Sequence, residues 1–440
     1  MRPLASLETA LLLVAGSMAA DRIADRLRVP PAVAHVLLGL ALALSPWFPT
    51  ITLDPDFALA LFLPPLLMHS ALQADWSDFR RWLRAIFNLA VGAVLFSTVV
   101  VGLVAHLLLP AVPLAACFAL GAILSPPDAA AAKAVLRRGN LPHRLVAVLE
   151  GESLVNDATA LVLYRFAVAA AVSGSFHAGA AALQFLAVGA GGLAVGAVLG
   201  MCAVPMLTWL GEANRMILGS FLAAWCAYLG AEAFDLSGVL ATVSCGLVVG
   251  SVKVKRLTPA TRAQAIAVWD FFVSVLESLA FVLIGLALRN IAPGLHAEGL
   301  SYTTLLPIIA VIGAALVLAR FAWMMPHVWL DRRRSRRRSL PDPVPHPGLV
   351  AVAGWAGMRG GVSLAAAVAL PPDFPGRNAM VAITFGVVLV SVLGHATTLA
   401  PLARWLRVAE HEESRFAPSG APSPAQSDGD GDNAMAPRSC

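Results

Sequence analysis

Residues 150–165 read EGESLVNDATALVLYR, which sets three carboxylates, an asparagine and a serine in a stretch otherwise apolar enough for a membrane. Wound at 100° per residue, Ser153, Asp157 and Tyr164 fall within about 40° of one another, with Glu150 beside them. Glu152, Asn156 and Thr159 form a neighbouring face, with Glu152 about 140° from Asp157. One face therefore offers a carboxylate and a hydroxyl to a cavity, and the other offers a carboxylate to a buried cation. Hard oxygen donors suit small hard cations. A charge at mid-bilayer costs about 2.5–3.5 kcal/mol on insertion scales, so each one here is a functional hypothesis.

Two interrupted spans supply the remaining polar groups. In LSPPDAAAAK (124–133), Pro126 and Pro127 remove two backbone donors and bar regular helix before them. The span must break there, and Asp128 opens its second half, where the positive end of the helix dipole favours a charged carboxylate. In GWAGMRGGVS (354–363), glycines flank Arg359 and predict a second unwound centre. Freed backbone groups at membrane depth are tolerated only around a cavity or inside protein. A pair of Gly/Pro-interrupted spans points to a secondary transporter built from inverted repeats. Arg359 is the expected ion-pair partner of Glu152. Asn156 is expected to bridge the broken helices or fix Asp157. Glu277, in VLESLAFVLIG, either joins the Arg359 network or lines the ion path, and Lys133 reads as a snorkelling anchor.

The elements that must hold these residues are membrane helices. The chain has 440 residues, 58% hydrophobic and only 13% charged, which excludes a soluble enzyme, a nucleic-acid binder and a disordered protein. Thirteen apolar stretches of spanning length lie between residues 4 and 403, among them 113–137, 144–172 and 348–370. The first reads as a retained span and not a cleaved signal, because Glu8 lies inside it and Arg2 alone precedes it. With the C-terminus cytoplasmic and the N-terminus outside, the inner segments hold Arg80, Arg81 and Arg84, Lys253 to Arg262, and the loop DRRRSRRR at 331–338. The outer ones hold only Arg2, Arg289 and Arg377. Gly192, Gly196 and Gly200 recur every fourth residue, a pattern for close helix packing. Residues 1–408 thus read as one transmembrane domain, and 409–440, rich in Ser, Pro, Gly and acidic residues, as a disordered cytoplasmic tail.

EGESLVNDATALVLY, SPPDA and GMRGGVSLA together resemble the monovalent cation:proton antiporter-1 family, the NhaP-type and sodium/proton exchangers, over roughly residues 5–405. The resemblance implies a homodimer in the inner cell membrane, with thirteen helices per chain. Two broken helices would cross near the ion, and a core domain would move against a dimerisation domain. It makes Asp157 the ion- and proton-binding carboxylate, Asn156 its partner, Ser153 and the Pro127 carbonyl ion ligands, Asp128 the acid of the broken helix, and Glu152–Arg359 the core ion pair. Two positions depart from the family pattern: Pro127 stands where threonine is common, and His69 stands where many relatives carry an acid. Burial disfavours a charged carboxylate. One buried Asp that takes a proton or a cation (Na+, Li+ or K+), and reorients only when occupied, gives antiport serving pH and sodium homeostasis. An asparagine beside it cannot titrate, which makes the expected exchange electroneutral. A potassium/proton antiporter and a cation channel are the alternatives, though no TVGYG-like filter is present. No HExxH, GxSxG, P-loop or CxxC motif points to an enzyme, no cofactor is expected, and the partner surface is the lipid bilayer.

Overall fold

Apolar runs, and the prolines and glycines that interrupt them, dictate most of the helices. The computed structural model describes residues 3–27, 29, 31–46, 48, 55–74, 76–128, 143–174, 178–253, 258–297, 301–338, 347–371 and 373–406. Regular structure among them is helical throughout. The order is α1 (Pro3–Leu27), α2 (Pro31–Leu44), α3 (Pro55–Gln73), α4 (Trp76–Phe87), a π-helical segment (Asn88–Ala93), α5 (Val94–Leu108) and α6 (Leu114–Leu124). Then follow α7 (His143–Ser173), α8 (Ala178–Leu210), α9 (Ala213–Glu232), α10 (Gly238–Lys253), α11 (Pro259–Ala297) and α12 (Tyr302–Arg338). The last three are α13 (Pro347–Trp355), α14 (Gly361–Val368) and α15 (Arg377–Trp405). The expected tail at 409–440 and Lys133 lie outside the described residues.

Six helical stretches among the described residues are long and apolar enough to cross a membrane, and four shorter apolar helices accompany them. Two of the expected spans lose their helix where their sequences require it, the second half of 113–137 lying outside the described residues. α6 stops at Leu124 ahead of the prolines, and the 348–370 stretch splits into α13 and α14. The run at 331–338 is not the loop its charge suggested, because α12 continues through it to Arg338. Arginine is a good helix former, so loss of apolarity marks the edge of the bilayer and not the end of the helix. Likewise Arg80, Arg81 and Arg84 stand on α4, which runs through the π-helical segment into α5.

The helices pack into two groups. One comprises α1–α3 with α8–α11, the other α4–α7 with α12–α15, and the groups meet where α14 lies on α3 and α15 on α11. Within the first group α8 packs on α10 through the expected glycines. A Cβ at Gly196 would overlap the Ala241 carbonyl, so only glycine lets the two backbones approach this closely.

Candidate ion-exchange site

Each break leaves backbone groups without helical partners, and at membrane depth those groups must be satisfied from elsewhere. Pro126 and Pro127 have no N–H to place. The Pro127 carbonyl accepts a hydrogen bond from Asn156 Nδ2 at 2.7 Å. The next free donor, Asp128 N–H, bonds the Met358 carbonyl in the other break at 2.6 Å. The two interruptions therefore meet, and α7 braces the contact through Asn156. The second break is held as well: Arg359 N–H donates to Ser391 Oγ of α15 at 2.9 Å. A Cβ at Gly360 would overlap the Asp128 carboxylate, so the glycine makes room for that acid at the N-terminal end of α14.

α7 presents the two polar faces its spacing predicts. Glu152, Asn156 and Thr159 are buried. Glu150, Ser153 and Asp157 line a cavity of about 380 Å³ between the two helix groups. Pro126, Asp128 and Gly360 bring both breaks to the same cavity, and α3 and α11 form the opposite wall. Among the described lining residues are five carboxylates, one histidine and no Lys or Arg. A recess so charged concentrates cations, and its carboxylate and hydroxyl oxygens are what an alkali cation needs once it sheds water.

The expected Glu152–Arg359 pair is not formed. Glu152 pairs with Arg320 of α12, whose Nη1 and Nη2 lie 2.6 and 2.8 Å from the two carboxylate oxygens. Arg320 also donates to the Ala353 carbonyl in the last turn of α13, through Nε at 3.3 Å and Nη2 at 3.2 Å. A planar five-donor fork can hold a carboxylate and an orphan helix carbonyl together. Arg359 instead folds back onto its own break and donates from Nη1 to the Gly357 carbonyl at 2.8 Å, with its Nε buried and unpartnered.

Asp157, Asp128, Ser153 and Glu150 thus share the cavity, and Glu277 lies on its wall. His69 lines it too, on α3. Asn156 stands behind, buried. The Pro127 carbonyl accepts from Asn156 and adjoins Asp128 and Ser153 in a small recess, while Pro126 lines the main cavity. Tyr164, two turns beyond Asp157, packs in the core. Sequence reasoning missed Arg320, although a lone arginine in the apolar run ALVLARFAWMM was the signal for it. It also missed Asp270 and Gln73, which line the cavity.

A helical membrane protein whose acidic cavity ends at two interrupted helices has the layout of a secondary cation transporter. Residues 10–405 match the family described as "Sodium/hydrogen exchanger, transmembrane". The Escherichia coli "Uncharacterized Na(+)/H(+) exchanger YjcE" is 31% identical over 412 residues, covering 88% of this chain and 74% of that one. The "Na(+)/H(+) antiporter NhaH" of Halobacillus dabanensis is 30% identical over 411 residues, covering 90% and 96%. The "Sodium, potassium, lithium and rubidium/H(+) antiporter" of Bacillus pumilus is 31% identical over 409 residues, covering 89% of this chain and 60% of its own length. Among solved structures, the sodium proton antiporter MjNhaP1 of Methanocaldococcus jannaschii superposes with a TM-score of 0.72 at 20% identity, covering 92% of this chain and 98% of that one. The chain belongs to the sodium/hydrogen exchanger family, and it is a monovalent cation/proton antiporter.

Proposed function

We propose that Asp157 is the single group over which cation and proton compete, and that Ser153 and Asp128 complete the cation's oxygen shell. The observation that carries this is the cavity: it brings Asp157, Ser153 and Asp128 together at the meeting of the breaks, with no lysine or arginine among its described lining residues to repel a cation. Asn156 serves as a brace, since its amide already holds the Pro127 carbonyl. The Glu152–Arg320 pair holds α7 to α12 and has a structural task.

The exchanged ions are Na+ or Li+, with K+ as a further substrate, against one H+, and the exchange is electroneutral. The support for the cation range is the relative from Bacillus pumilus, which is named for sodium, potassium, lithium and rubidium. Thirteen spans arranged as inverted repeats, the N-terminus outside, the C-terminus cytoplasmic and a homodimer complete the reading; the sorting of arginines supports the orientation. With the inward proton gradient as drive, the cation leaves the cell, which serves pH and sodium homeostasis. The test is flux in inverted vesicles carrying a preset pH gradient. Addition of Na+, Li+ or K+ in turn collapses the gradient for each transported cation. A gradient indifferent to all three overturns the reading.

A further inference from the structure

The cavity wall opposite Asp157 carries polar groups that the exchange step leaves unused. On α11, Asp270, Ser274 and Glu277 stand at i, i+4 and i+7, and all three line the cavity. On α3, His69 and Gln73 stand one turn apart on the same wall. These two meet Asp270 at one oxygen: Gln73 Nε2 donates to Asp270 Oδ1 at 3.0 Å, and His69 Nε2 lies 3.2 Å from the same atom. Behind the imidazole, Trp269 stacks on His69 with ring centroids 6.1 Å apart, Phe221 stacks on Trp269 at 3.9 Å, and Trp269 Nε1 donates to Ser220 Oγ at 3.0 Å. The histidine is thus wedged in place. Among the described residues, Asp270 Oδ2 takes no hydrogen bond, and the Asp270 side chain is 49% exposed against 15% for His69.

The two helices also say which end of the cavity this is. His69 and Gln73 lie in the last turns of α3, just before the segment that bears Arg80, Arg81 and Arg84. Asp270 lies three turns into α11, just after the stretch that bears Lys253, Lys255, Arg256 and Arg262. Both basic segments belong on the cytoplasmic side by the positive-inside rule.

We propose that Asp270 is the cation-capturing residue of the cytoplasmic entrance, the first carboxylate that an incoming alkali cation meets on its way to Asp157. Gln73 and His69 are positioning residues: they hold Oδ1 and leave Oδ2 to the ion. The inference rests on Asp157 being the exchange site. A half-exposed carboxylate at the mouth of an acidic recess raises the local cation concentration. It acts on the cation before the exchange step, so its loss raises the half-saturating concentration and leaves turnover nearly intact.

The full-length protein in proteoliposomes tests this, with Na+ as the probe. D270N is expected to raise the half-saturating Na+ concentration about two- to fivefold, the range for one exposed ion pair, while the maximal rate changes far less. The difference should shrink as choline chloride raises the ionic strength. D270E, which keeps the charge, should stay near the parent value. Q73A should raise half-saturation on its own and add nothing in the D270N background, and it reads the same role if D270N fails to fold. Unchanged half-saturation in both D270N and Q73A, equal losses of rate and affinity, or an undiminished Q73A effect in the D270N background would each overturn the proposal. D157N separates the two readings. If D157N still exchanges, the exchange site is misplaced. If it is silent while D270N and Q73A match the parent, only the role of Asp270 fails.

Discussion

Replacing Arg320 with methionine should destabilise the protein far more than the same change at Arg359. Arg320 and Glu152 are 4% and 1% exposed and meet through two hydrogen bonds of 2.6 and 2.8 Å. R320M takes from the buried Glu152 carboxylate the one guanidinium hydrogen-bonded to it, and it strips two donors from the Ala353 carbonyl. Breaking a buried pair from one side costs about 3–5 kcal/mol. Methionine keeps much of the arginine stem's bulk, so a cavity adds little. R359M removes one hydrogen bond to a carbonyl and no ion pair. A bond from a charged donor is worth about 1.5–3 kcal/mol, and removing one of two neighbouring guanidinium charges offsets part of that. The double variant E152M/R320M removes both charges together and should recover much of the R320M loss, because apolar replacement of a whole buried pair is often neutral. Melting curves of detergent-purified protein, followed by size-exclusion chromatography, measure R320M, R359M, E152M and E152M/R320M. R359M melting below R320M, or E152M/R320M losing as much as its two single changes summed, would refute the assignment.

Two more outcomes follow from the breaks and the cavity. G360A should lose exchange and about 1–3 kcal/mol of stability, since the added methyl must displace the Asp128 carboxylate. G394A, at a helical glycine with open space around it, should exchange normally in the same flux assay. Exchange should also be insensitive to membrane potential: with Asn156 bracing and Asp157 alone titrating, one cation leaves for one proton. Initial rates in proteoliposomes with a clamped potential check this, and a rate that tracks the potential would make a second carboxylate, Asp128 first, a proton carrier.

The residues of α7 were legible because a 100° repeat needs no tertiary knowledge: Ser153 and Asp157 face the cavity and Glu152 and Asn156 face inward, as the spacing requires. Both breaks were legible because Pro126–Pro127 and the glycines around Arg359 act locally. Which groups the breaks would bond was not, since Asp128 N–H reaching the Met358 carbonyl joins residues 230 positions apart. The partner of Glu152 was misassigned for the same reason. Both arginines stand near the carboxylate, and only the fold shows that Arg320 bonds it while Arg359 turns to the Gly357 carbonyl. Asp270 could have been found by winding VWDFFVSVLES, where Asp270, Ser274 and Glu277 share a face. Its tie to Gln73 and His69 needed the fold.

Cation-driven proton flux by D157N in proteoliposomes tests whether Asp157 is the exchange carboxylate. The amide is nearly isosteric with the carboxylate, so the variant should insert and melt like the parent. It can neither release a proton nor neutralise a cation, so addition of Na+, Li+ or K+ should leave a preset pH gradient standing. A folded D157N protein that collapses the gradient at near the parent rate would exclude Asp157 and move the exchange site to another carboxylate of the cavity.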